Sequence, residues 1–160
     1  MVFITRHLLR STMTSAPGQD IVDSVGRLDL NKDGEIINLA IVGSSRFYDF
    51  RIFEDIIEEW VENHGYPDLI IVGGASGVDY MAERWADNNS IKIAVFSEEW
   101  DDPVKSLHDT GRSEAGNSLT RKIIDASTHI LALPSETSKW TRVVISIAQR
   151  EGIPISVNEV

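Results

Sequence analysis

The stretch IIVGGASGVDYMAERWADN, residues 70–88, decides the fold, because it passes from an apolar run through three glycines into a helical stripe. An apolar run with no polar alternation reads as a strand buried on both faces. Val78, Met81, Ala82 and Trp85 then recur at three- and four-residue spacing, which is one face of a helix. Between the two, Gly73, Gly74 and Gly77 carry no Cβ, so that amides at the helix start can approach a neighbouring group closely. An anion is one such neighbour, drawn also by the helix dipole. A phosphate-free tight turn suits GGxxG equally well on these residues alone. The pattern is neither the dinucleotide fingerprint nor the P-loop, since no Gly-Lys-Ser/Thr follows.

Working outward, the same alternation fills the chain from Asn38 onward. Apolar runs stand at LAIVG (39–43), IKIAVF (91–96), HILALP (129–134) and PISV (154–157). Helical stripes are carried by Phe53, Ile56, Ile57, Trp60 and Val61, by Val143, Val144, Ile147 and Ala148, and more weakly by Leu119, Ile123 and Ala126. Strands alternating with helices predict one α/β domain over residues 38–160: a Rossmann-like, doubly wound, mainly parallel five-stranded sheet with helices on both faces. Residues 1–37, punctuated by Pro17, Gly18, Gly26 and Gly34, read as an N-terminal arm or hairpin.

A length of 160 residues suffices for one such domain without covalent staples, and 42% hydrophobic with 25% charged residues is ordinary globular composition. Zero cysteines removes disulfides, thiolate metal sites and cysteine nucleophiles, and a cytoplasmic location is the expectation. The opening MVFITRHLLRSTMTSAPGQD has neither the roughly twenty apolar residues of a membrane span nor an uninterrupted signal-peptide core. A net charge of −10 repels a phosphate backbone over most of the surface, which argues against nucleic acid as partner and leaves room for a small anion in a local cradle.

Two patterns invite a metal and are set aside. DLNKDGEI places Asp29, Asn31, Asp33, Gly34 and Ile36 as in the first half of an EF-hand loop, but the twelfth position is Ala40 instead of a bidentate carboxylate. Asp33-Gly34 is also an ordinary tight-turn signal. His7, His64, His108 and His129 share no ligand spacing, so no metal and no cofactor is expected. The acidic run EDIIEEWVE reads as the solvated face of its helix.

In open α/β sheets ligands bind beyond the carboxyl ends of the strands. The loops there carry Gly43, Ser44 and Arg46 after the first run, Gly73, Gly74, Ser76, Gly77 and Asp79 after the second, and Pro134, Ser135, Glu136, Ser138, Lys139 and Thr141 after the fourth. Ser76 could cap the following helix, and Asp79 could accept from a sugar hydroxyl. Arg46, Arg112 and Arg121 could hold a phosphate in bidentate fashion or simply pair with carboxylates, Arg121 being the preferred ligand residue. Lys139 at a helix start is unfavourable to the dipole unless an anion is present. Trp60 and Trp85 are core residues by their spacing. Trp100 follows a segment without periodicity, and residues 97–112 are long enough to form a lid.

The motifs IVGSSRFYD, IVGGASGVDYMAERWA, IAVFSEEWDD and GRSEAGNSLTRKIIDASTHILALPSETSKWTRVVISIAQREGIPI together resemble the YspA/YpsA-related branch of the SLOG superfamily, over about residues 39–157. That superfamily of Rossmann-like nucleotide-ligand domains also includes DprA and the LONELY GUY enzymes. The resemblance implies a nucleotide or nucleotide-derived small molecule as ligand, held by phosphate and ribose. Gly43, Ser44 and Arg46 match its first element; Gly73, Gly74, Gly77 and Asp79 match its second; Trp100 matches the aromatic after the third strand. Arg121 falls where LONELY GUY enzymes carry an Arg used in cleaving ribose 5-phosphate from its base. Ser138, Lys139 and Thr141 match a Ser-Lys-Gly-Thr turn, in which Trp140 replaces the glycine.

The Pro-Gly-Gly-x-Gly-Thr-x-x-Glu form of the phosphoribohydrolases is absent, and Arg142, Val143, Val144 and Ile145 supply no carboxylate after the threonine. Glycosidic cleavage would need Asp79 or Glu136 in its place, beside Arg121, so these three are the catalytic candidates. Trp140 could fill part of a phosphate cradle or stack on a base. The leading expectation is ligand binding, as a sensor or sequestering protein, with a phosphoribohydrolase or N-glycosidase as the alternative. Pairing of copies into a homodimer or higher homo-oligomer, through helices or the arm, is what the superfamily implies.

Overall fold

The computed structural model describes residues 17–74, 76–96 and 112–160, with side chains of the fourth helix from Leu119 onward. The elements run α1 (Pro17–Val25), β1 (Asn38–Gly43), α2 (Phe50–His64), β2 (Leu69–Val72), α3 (Val78–Asn88), β3 (Lys92–Val95), α4 (Arg112–Ala126), β4 (His129–Leu133), α5 (Lys139–Glu151) and β5 (Ile155–Val157). All five strands are parallel, in the order β3-β2-β1-β4-β5. The expected doubly wound sheet is therefore present. The chain steps outward from β1 to β3 and then returns to the other side of β1 for β4 and β5, so the strand order reverses between β1 and β4.

Pleating explains how apolar runs without alternation serve this sheet. Leu39 and Ile41 face one core, Ala40 and Val42 the other, and all four are fully buried. On the first face α2 and α3 supply Phe53, Ile57, Trp60, Val78, Met81 and Trp85. On the second, α4 and α5 supply Leu119, Ile123, Ile124, Val144 and Ala148. Edge strands β3 and β5 are less covered, and Lys92 is exposed.

The described part of the arm is a helix followed by a loop, where glycine punctuation suggested an irregular arm or hairpin. Pro17 stands at the first helical position, where its missing N–H costs nothing, and Ile21, Val22 and Val25 pack onto the second core beside β3. The loop then closes through Asp29, whose carboxylate accepts from the Asp33 and Gly34 amides at 3.2 and 2.8 Å. Asp33 in turn accepts from Glu35 N at 3.0 Å, and Gly34 takes φ +92°. The aspartates of the EF-hand-like stretch thus serve as turn-forming acceptors. Among the described residues, no helix is long and apolar enough to cross a membrane.

Candidate functional site at the carboxyl ends of the strands

The turns after β1, β2 and β4 are locked together. β1 and β4 run in register from Leu39↔His129 to Gly43↔Leu133, and Ser44 N extends the ladder by donating to Leu133 O at 3.0 Å. Ser44 is buried, its hydroxyl accepts from Arg46 N at 3.2 Å, and its carbonyl accepts from Val78 N at 3.0 Å. Ser76 does not cap α3. Its hydroxyl donates to Ser45 O at 2.9 Å, and Gly77 is the N-cap residue, without a side-chain cap bond.

The glycines divide by what a side chain would meet. At Gly77, with φ +69°, a Cβ would lie 2.3 Å from Ser44 O and 2.4 Å from Ser45 C. At Gly43 it would lie 2.6 Å from Leu133 O and 2.8 Å from Val78 Cγ2. Both glycines are demanded by the protein's own backbone, not by a guest. At Gly73 a Cβ would make ordinary contacts, the nearest being Asp79 Oδ2 at 3.4 Å. Gly74 is exposed at φ +75°, a backbone conformation that glycine alone adopts without strain.

Asp79 lies in the first turn of α3 and is only 4% exposed. The start of α3 therefore already holds a buried carboxylate where the helix dipole favours negative charge. The start of α5 differs. It has no acidic residue in its first turn, Lys139 opens it, and Ser138 precedes it as N-cap. Ser138 Oγ accepts from Ser135 N at 2.9 Å and lies 3.0 Å from Ser135 Oγ, which is itself 3.4 Å from Thr137 Oγ1. Pro134 and Thr141 are buried at this turn, while Glu136 and Lys139 are exposed.

Two cations that reach the rim, Arg46 and Lys139, form no ion pair among the described residues. Arg142, which sequence reasoning passed over, also belongs to the turn: it donates to Ser135 O at 2.8 Å and pairs with Glu159 at 2.9 Å. Its spacing, one helical turn after Ser138, was the available signal. The hydrogen-bonded Glu159 raises the Arg142 pKa, and Arg142 holds the Glu159 carboxyl below its usual range.

Arg121 is not brought to the rim. It sits nine residues into α4, about 13 Å along the axis from the helix start. There it pairs with Glu151, the last residue of α5, at 2.6 Å and with Asp125 at 2.9 Å. These bonds raise its pKa and lower that of Glu151. Trp140 is held by the protein's own helices: its indole donates to Thr120 Oγ1 on α4 at 2.7 Å, and its partly buried ring packs on the second core. Trp100, the Arg112 side chain and the lid segment 97–111 lie outside the described residues, as does Ala75.

With this geometry in place, residues 37–102 are found to match the model of the YspA, cpYpsA-related SLOG family. The SLOG match takes in β1, α2, β2, the glycine turn, α3 and β3, and ends before α4 and the turn after β4. No curated protein and no solved structure matches the chain.

Proposed function

We propose that the protein binds a nucleotide or nucleotide-derived small molecule at the carboxyl ends of β1, β2 and β4, for sensing or sequestration. The phosphate sits at the start of α5, and a sugar hydroxyl donates to Asp79. The observation that carries this reading is the difference between two helix starts beside the switch point. α5 opens with Lys139 behind a cluster of hydroxyls and has no acid in its first turn, whereas α3 opens with a buried aspartate that would repel a phosphate. The match of residues 37–102 to a SLOG family model supports a nucleotide-related ligand.

Calorimetric titration with nucleoside monophosphates, ADP-ribose and ribose 5-phosphate tests it. At least one should bind, Lys139→Glu should weaken that ligand about tenfold or more, near 1.4 kcal/mol, and Arg121→Ala should leave it unchanged. Equal loss in Arg121→Ala would move the phosphate away from α5, and no binding by any ligand would end the reading. Cleavage of the N-glycosidic bond is the second reading, with buried Asp79 as the carboxylate at the rim. Free base released from a nucleoside monophosphate by the native chain, and not by Asp79→Asn, would establish it.

A further inference from the structure

At the pole opposite the rim, the topology joins two histidines that lie 65 positions apart in sequence, the last residue of α2 and the first of β4. The His64 and His129 ring centroids are 5.9 Å apart, with the planes at 73°. Trp60 braces both, stacked on His64 at 4.2 Å and edge-on to His129 at 5.7 Å. Spacing along the chain could not reveal this pair, because α2 and β4 belong to opposite wings of the sheet.

The hydrogen bonds around the pair hold each ring by its Nδ1 atom. His64 Nδ1 lies 2.9 Å from Trp60 O, and a carbonyl only accepts, so Nδ1 holds the hydrogen. Thr128 Oγ1 lies 3.2 Å from Asn38 O, to which it can donate, and receives Asn38 N–H at 2.8 Å. With the hydroxyl proton turned to Asn38 O, its 2.8 Å contact with His129 Nδ1 is a second N–H donated to the hydroxyl. That arrangement leaves a lone pair on both Nε2 atoms, and neither Nε2 has a hydrogen-bond partner among the described residues.

We propose that His64 and His129 form an open two-imidazole site for a borderline first-row divalent cation, Cu2+, Ni2+ or Zn2+, bound through both Nε2 atoms with water in the remaining positions. Metal-binding imidazoles characteristically anchor the other ring N–H on a polar neighbour, as both rings do here. Imidazole nitrogen is the donor these ions favour. Two imidazoles sharing one ion at about 2.0–2.1 Å place their ring centroids roughly 5–6 Å apart, matching the observed separation. No cage of three or more His, Cys, Asp or Glu side chains exists among the described residues, so the ion keeps open positions and exchanges readily.

The test uses the untagged full chain. Long-range proton–nitrogen imidazole spectra should show both rings as the Nδ1–H tautomer, and one equivalent of Zn2+ should shift both Nε2 resonances together. His64→Gln and His129→Gln should each weaken Zn2+ and Ni2+ binding tenfold or more in calorimetry, while millimolar Mg2+ or Ca2+ does not compete. An Nε2–H tautomer at either ring, absence of binding, or binding untouched by both substitutions overturns the proposal. Should a variant fail to fold, the spectra of the native chain decide alone.

Discussion

The turns after β2 and β4 flank the same central strand and both lead into a helix, yet they are built on opposite plans. The β2 turn is rich in glycine, and its glycines serve packing: Gly77 lets the start of α3 rest directly on the Ser44–Ser45 backbone. The β4 turn has no glycine from Pro134 to Lys139 and instead carries hydroxyls on Ser135, Thr137 and Ser138. An absent side chain is thus no sign of room for a guest. Charge separates the two more clearly, since α3 begins on a buried carboxylate and α5 on a lysine.

The largest expected effect breaks the β2 turn itself. Gly77→Ala adds a Cβ at 2.3 Å from a fixed carbonyl oxygen and at positive φ, so urea denaturation should show a loss of roughly 3 kcal/mol or more. Gly73→Ala, in the same turn but with ordinary contacts, should stay within about 1 kcal/mol of the parent. Equal and small effects would mean that the turn gives way and that its glycines are not packing devices.

Next in size is the contrast in charge. Asp79→Asn keeps the shape of the side chain and removes its charge. If Asp79 accepts from a sugar hydroxyl, the affinity measured by calorimetry should fall about tenfold, near 1.4 kcal/mol, with charge-assisted bonds being the stronger kind. A tighter complex would instead place the phosphate at α3, relieved of its repulsion, and would reverse the assignment of the two turns.

The architecture was legible because a buried parallel strand has a signature that needs no partner to be read: Leu39 to Val42 are apolar on both faces, and the stripes from Phe53 and Val78 are long. α1 was less so. Pro17 followed by Ile21, Val22 and Val25 was the available signal, masked by the flanking glycines. At the rim, residue types could place loops but not their neighbours. What Gly77 meets depends on Ser44 and Ser45, some thirty positions away, and sequence cannot show that approach. Arg121 was placed by residue type and family pattern, while its distance from the start of α4 and the presence of Glu151 at the end of α5 decide what it touches.

Trp140 gives the smallest effect and the sharpest separation of structure from function at the β4 turn. Its position in a Ser-Lys-Trp-Thr sequence suggested a ring set in the cradle or stacked on a base, but the indole reaches Thr120 and ties α5 to α4. Trp140→Phe keeps the aromatic packing and deletes only that donor, so stability should fall by about 1 kcal/mol, the net worth of one partly buried hydrogen bond. Ligand affinity should stay within about twofold. Tenfold weaker binding with unchanged stability would show that the ring meets the ligand, because a tryptophan that only braces two helices has no other route to so selective a loss.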